Sequence, residues 1–172
     1  MGKISLINHI NPQSLTEKRK ESLVTGLYAG AVFIVLATIY FVNLPNSLYG
    51  SIVKFFNSLV LAQVPGTTIS LPAPSVPAVH AVLYGAVFQF CLGLGIIEIA
   101  VLTLRIVVLH SPLSKKAETV GNLVFWLGAS YLAITYLARI TIMSEWFVFW
   151  VGIVLIGGFS LVARAFVLLA KR

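Results

Sequence analysis

Charge is scarce in this chain. Only 10% of its 172 residues are charged, and none of its five acidic residues is an aspartate. A soluble domain carries about 25% charged residues, so the hydrophobic content of 59% and the mean hydropathy of +0.98 place the chain among bilayer-embedded proteins.

Cysteine and histidine are nearly as rare. The single cysteine, Cys91, excludes an intrachain disulfide, a CxxC redox pair and a thiolate metal cluster. His80 and His110 stand at opposite ends of one hydrophobic run, about 45 Å apart if that run is helical, so they cannot share a metal or a haem. HExxH, GxSxG and lysine-containing phosphate loops are also missing. We therefore expect no enzymatic activity, no metal and no cofactor.

What the chain has is long apolar runs. A helix needs about 20 apolar residues to cross a bilayer, and four segments qualify: 23–42, 82–109, 120–137 and 146–169. The sequence predicts an all-α integral membrane protein in which residues 23–169 form an antiparallel bundle of four transmembrane helices. An amino-terminal segment, 1–22, and a short tail, 170–172, would flank the bundle.

The long loop 43–78 has two parts. The first is amphipathic at helical spacing and predicts a short helix lying flat in the outer membrane interface; a lid or a partner-docking helix is the alternative. The apolar face of this helix holds Leu48, Ile52, Phe55, Phe56 and Leu59. The second part contains Pro65, Pro72, Pro74 and Pro77 and predicts an extended connector.

Basic residues set the expected orientation. Eight of them fall in segments on one side of the predicted membrane, whereas only Lys54 and Arg139 fall on the other. The eight are Lys3, Lys18, Arg19, Lys20, Lys115, Lys116, Lys171 and Arg172. Lysine and arginine collect on the cytoplasmic side, so we expect a cell-membrane protein with both termini in the cytoplasm. The net charge of +7 sits at span ends beside lipid headgroups and predicts no nucleic-acid partner.

One carboxylate interrupts the second span. Glu98 shares a helical stripe with Arg105, and Arg164 of the fourth span enters at a similar depth. An ionised side chain at the centre of a membrane helix costs at least ~2.5–3.5 kcal/mol, so Glu98 must be paired, protonated or facing water. Two hypotheses follow: an ion-pair cluster with Arg105 and Arg164 that fixes helix register, or a transport site.

Glycines favour close helix packing. Gly26 and Gly30 form a GxxxG in the first span, and Gly93 and Gly95 lie in the second. With no catalytic apparatus, the sequence favours a structural or accessory subunit that packs against other membrane subunits. The alternative is a self-associating transporter or channel that uses Glu98.

The charge asymmetry predicts that the loop 43–78 lies outside the cell. A cysteine introduced as Ser70→Cys, after Cys91→Ser has removed the native thiol, should react with an impermeant maleimide in intact cells. Labelling that requires broken membranes would reverse the topology.

Overall fold

The computed structural model describes the backbone of residues 12–139 and 142–170, and side chains from residue 19 onward in those ranges. Part of the predicted amino-terminal segment and part of the tail therefore lie outside the described residues. The same holds for Lys3, Lys171 and Arg172, which the topology argument uses, and for the side chain of Lys18.

The described chain is about 80% helical. Its α-helices are α1 (Pro12–Val42), α2 (Leu48–Asn57), α3 (Ala81–Val107), α4 (Leu113–Leu132) and α5 (Met143–Leu169). A π-helical turn, Ala133–Leu137, extends α4. Among the described residues, four helical segments are long and apolar enough to cross a membrane: Arg19–Val42, Pro77–Val107, Leu113–Leu137 and Met143–Leu169.

Two helices extend well beyond the predicted apolar spans. α1 is continuous from Pro12, and α4 begins at Leu113, directly after Pro112, rather than at Val120. The two extensions are polar. Hydropathy marks only the part of a helix suited to lipid, whereas backbone hydrogen bonding continues into polar surroundings.

The proline-rich part of the loop, predicted as an extended connector, is extended over much of its length but forms a β-hairpin. Strand β1 (Leu59–Gln63) pairs antiparallel with β2 (Ser70–Pro74), with Leu59 opposite Pro74 and Gln63 opposite Ser70. Pro72 and Pro74 are tolerated because each strand of a two-stranded sheet has a free edge. Gly66 takes a positive φ of 76° in the turn, as the Pro-Gly dipeptide favours. The all-α expectation is corrected by this one hairpin.

α3 lies between its neighbours: it packs against α1 on one side and α4 on another, and α4 packs against α5. Glycines allow these approaches. A methyl group on Gly93 would lie 2.8 Å from the Val35 side chain of α1, and one on Gly95 would lie 2.6 Å from the Leu127 side chain of α4. A methyl group on Gly26 or Gly30 would meet nothing within 4 Å. The two predicted glycine pairs thus differ: among the described residues, the α3 pair lies at contacts with other helices and the α1 pair does not.

Candidate functional site

A polar pocket of about 290 Å³ opens between α1, α3 and α4. It is lined by Glu21, Val24, Thr25, Tyr28, Glu98, Val101, Arg105, Lys115, Glu118 and Asn122. Three of the chain's five acidic residues are therefore in one place. The α1 and α3 residues recur at steps of three and four, which keeps them on one face of each helix.

Glu98 is the most enclosed charge in the pocket. The residue is 2% exposed, and its Oε1 accepts a hydrogen bond of 3.1 Å from Nδ2 of Asn122 on α4. The side chain of Tyr28 on α1 interacts with the same carboxylate. Glu98 therefore connects three helices through neutral partners.

Arg105 is held by a second set of contacts. One terminal nitrogen lies 3.4 Å from Oε2 of Glu21 on α1. The other donates to the backbone carbonyl of Lys115 at 2.8 Å and to the hydroxyl of Thr119. Ser111 donates to the remaining oxygen of Glu21 at 3.0 Å. The guanidinium thereby ties α1 to the first turns of α4.

A second ion pair borders the pocket. Nζ of Lys115 lies 3.1 Å from Oε2 of Glu118, one helical turn away on α4, and the two side chains are 44% and 40% exposed. Exposed pairs of this kind contribute about 0–1 kcal/mol. This pair balances charge at the pocket rim more than it fixes the fold.

The structure brings Glu98 and Arg105 to the same pocket, but as neighbours rather than as an ion pair, since neither Arg105 nor Arg164 lies within 4.0 Å of the Glu98 carboxylate in the described residues. Arg164, on α5, packs against Gly121 of α4: its Cβ lies 3.4 Å from where a methyl group on Gly121 would be, and the residue is exposed. Asn122, one residue along α4 from Gly121, instead contacts Glu98.

Sequence reasoning missed Glu21, Tyr28 and Asn122. A signal for the first two existed, since Glu21 and Tyr28 are seven residues apart and so share a face of α1, as Glu98 and Arg105 share a face of α3. Glu145 accepts a 3.1 Å hydrogen bond from the backbone N–H of Ile142 at the start of α5, as a carboxylate in the first turn of a helix can do.

Carboxylates, an amide and two cations converge in the pocket, and Glu21 and Glu118 are paired with the cations Arg105 and Lys115. No group of three or more His, Cys, Asp or Glu side chains that could hold a metal ion occurs within residues 12–139 and 142–170. Comparison with protein-family models, with curated proteins and with solved structures gave no match to this chain. The class that the fold defines is a multi-pass helical membrane protein.

The contact between Arg105 and Glu21 should stabilise the fold. Glu21→Gln and Arg105→Gln should each lower the free energy of unfolding in detergent. Either change should cost more in the wild type than in a protein that already carries the other change. The expected coupling in the double-mutant cycle is about 0.5–3 kcal/mol, because the double variant leaves no orphaned charge.

Glu118→Gln is the matched control, since it breaks the exposed pair with Lys115 and should cost less than about 1 kcal/mol. Additive effects of Glu21→Gln and Arg105→Gln would show that the 3.4 Å contact contributes nothing to stability.

Proposed function

We propose that this protein is a structural or accessory subunit of a larger complex in the cell membrane. Its four long helices form an antiparallel bundle with both termini in the cytoplasm, and α2 lies in the outer interface. The excess of basic residues on one side supports this orientation. The amphipathic pattern of α2 supports its interfacial position.

The observation that carries the proposal is the unfilled small-residue face of α1. A methyl group on Gly26 or Gly30 would meet no atom within 4 Å, although α1 packs against α3 elsewhere. Surfaces with small residues four apart let a second membrane helix approach closely. With no such helix inside the described chain, this face is available to a helix of another subunit.

Arg164 supports the same reading. It is exposed on α5 and has no acidic partner within 4.0 Å among the described residues. An arginine on a lipid-facing helix is costly unless it reaches the headgroups or a counter-ion. A carboxylate on a neighbouring subunit would satisfy it near the predicted cytoplasmic end of α5.

The α1 face is tested by Gly26→Leu combined with Gly30→Leu. Native mass spectrometry of protein extracted from its own membranes with mild detergent should show wild type with partners of different mass. The double variant should insert normally but lose those partners, because leucine holds the helix backbones apart.

Ala100→Leu is the matched control, because it enlarges an exposed small residue on α3 and should leave the complex intact. Complexes that survive the double glycine change would exclude this face as the contact. A single homo-oligomeric species in the wild type would favour the second candidate instead.

That second candidate is an oligomeric transporter or channel in which Glu98 binds a proton or a cation. The observation in its favour is the 290 Å³ pocket with Glu21, Glu98 and Glu118 in its lining. The hydrogen bonds of Glu98 argue against this candidate. Its carboxylate already accepts from two neutral side chains, Asn122 and Tyr28.

Two substitutions of Glu98 separate these functions. Glu98→Gln keeps an acceptor oxygen for Asn122 and Tyr28, so a structural role predicts nearly normal stability and normal assembly. Glu98→Leu removes the acceptor of the exposed Asn122 and the half-buried Tyr28 and should lower the free energy of unfolding by about 0.5–1.5 kcal/mol for each hydrogen bond lost.

Ion flux into proteoliposomes is the decisive second readout. Flux in the wild type that disappears in Glu98→Gln while stability is retained would contradict the structural role and establish transport. Equal stability of the leucine and glutamine variants would show that the hydrogen bonds to Glu98 do not hold the helices.

A further inference from the structure

The hydrogen-bond pattern of the β-hairpin shows which backbone groups of β1 are left over. The N–H of Val64 donates to the carbonyl of Ile69 at 2.9 Å, and the N–H of Ser75 donates to the carbonyl of Ser58 at 2.9 Å. Facing residues of an antiparallel ladder alternate between hydrogen-bonded and non-hydrogen-bonded pairs. The even-numbered residues of β1 therefore bond to β2, whereas its odd-numbered residues direct their N–H and C=O groups to the free edge.

The two free edges of the hairpin differ. Within the described part of the chain, the sheet contains only β1 and β2. The outward positions of β2 include Pro72 and Pro74, which have no N–H to donate, and Pro74 is also buried. The outward positions of β1 are Leu59, Leu61 and Gln63, which all keep their N–H groups. Leu59 and Leu61 are 37% and 76% exposed, so β1 can bond to another strand and β2 cannot.

The edge of β1 also lacks protection. Proteins keep exposed sheet edges from pairing with charged side chains, prolines or bulges. β1 has neither a charged residue nor a proline, and no Asp, Glu, Lys or Arg occurs from residue 55 to residue 97. An exposed, apolar and uncharged edge is suited to binding an extended strand through main-chain hydrogen bonds.

We propose that β1 pairs antiparallel with β1 of a second copy of this chain, so that two hairpins form one four-stranded sheet. A two-fold axis, the commonest symmetry of dimers, places Leu61 opposite its equivalent in the second copy and Leu59 opposite the equivalent of Gln63. Each such pair exchanges both of its main-chain hydrogen bonds. All outward N–H and C=O groups of β1 are then satisfied.

Two features favour a second copy over a strand of another subunit. A two-fold contact brings a segment together with its own copy, so any charge on it would be repelled, and β1 has none. One face of the hairpin is also fixed to the helices, since Ala62 and Val64 pack against a cluster that contains Leu137 and Trp146. Two copies in one membrane therefore present β1 at the same height, which raises its effective concentration. The pairing does not depend on which subunit α1 contacts, so it goes beyond the proposed function.

Proline at residue 61 tests the main-chain bonds without breaking the hairpin. Leu61 faces Pro72 in a non-hydrogen-bonded pair, so Leu61→Pro removes only a donor that points outward. Leu61→Thr is the matched control, because it removes the exposed apolar side chain but keeps the N–H. A contact made by main-chain bonds should be lost in the proline variant and kept in the threonine variant.

Cysteine pairs measure the contact in native membranes. Val60 should lie opposite the equivalent of Ala62 in a non-hydrogen-bonded pair, where side chains are closest. In a Cys91→Ser background, Val60→Cys combined with Ala62→Cys should form a covalent dimer on mild oxidation, and either cysteine alone should form little. Adding Leu61→Pro should lower the yield about tenfold, because two central hydrogen bonds are lost. Adding Leu61→Thr should leave the yield near that of the parent.

Three results would overturn the proposal. The first is no covalent dimer from the double cysteine variant, and the second is an equal yield with Leu61→Pro and Leu61→Thr. The third is a protein that forms no covalent dimer but loses a partner of different mass in native mass spectrometry of Leu61→Pro, which would assign the edge to a strand of another subunit. If Leu61→Pro does not insert, the difference between the double and the single cysteine variants decides.

Discussion

A charge placed among membrane helices needs a partner, and this requirement organises the end of the molecule that holds Glu98 and Arg105. The carboxylate is 2% exposed and bonded to Asn122, while the guanidinium joins Glu21 to the start of α4. Hydrophobic burial cannot distinguish one helix face from another in lipid, because the tails are as apolar as the side chains. Polar contacts and close glycine packing are left to determine which surfaces meet.

The opposite end of the helices follows a different principle. There the helices meet through rings and small residues, and the two orphaned donors of Tyr84 and Trp146 leave a polar requirement that the described chain does not meet. Polar contacts join the helices at the end that holds Glu98 and Arg105. Aromatic side chains surround a cavity at the other end.

Much of this architecture could be predicted from the sequence. Length and hydropathy located the four long helices, and helical spacing placed Glu98 and Arg105 on one stripe. The partner of Arg105 could not be found that way, because Glu21 precedes it by a whole span and a loop. Arg164 was expected near Glu98 and is exposed on α5 instead, because the mostly apolar sequence of α5 carries little information about the rotation of the helix. The hairpin was missed because prolines in β2 resemble those of an unpaired connector.

We infer that the contact between Glu21 and Arg105 holds α1 against α3. Disulfide trapping tests it directly: the Cβ of Val35 lies 3.6 Å from where a Cβ on Gly93 would be, within the range of about 3.5–4.5 Å for a disulfide. In membranes, Val35→Cys with Gly93→Cys, in a Cys91→Ser background, should cross-link rapidly on mild oxidation. Gly30→Cys with Gly93→Cys should not. Adding Arg105→Gln should slow the first reaction severalfold. No cross-link, or the same rate with and without Arg105, would contradict the claim.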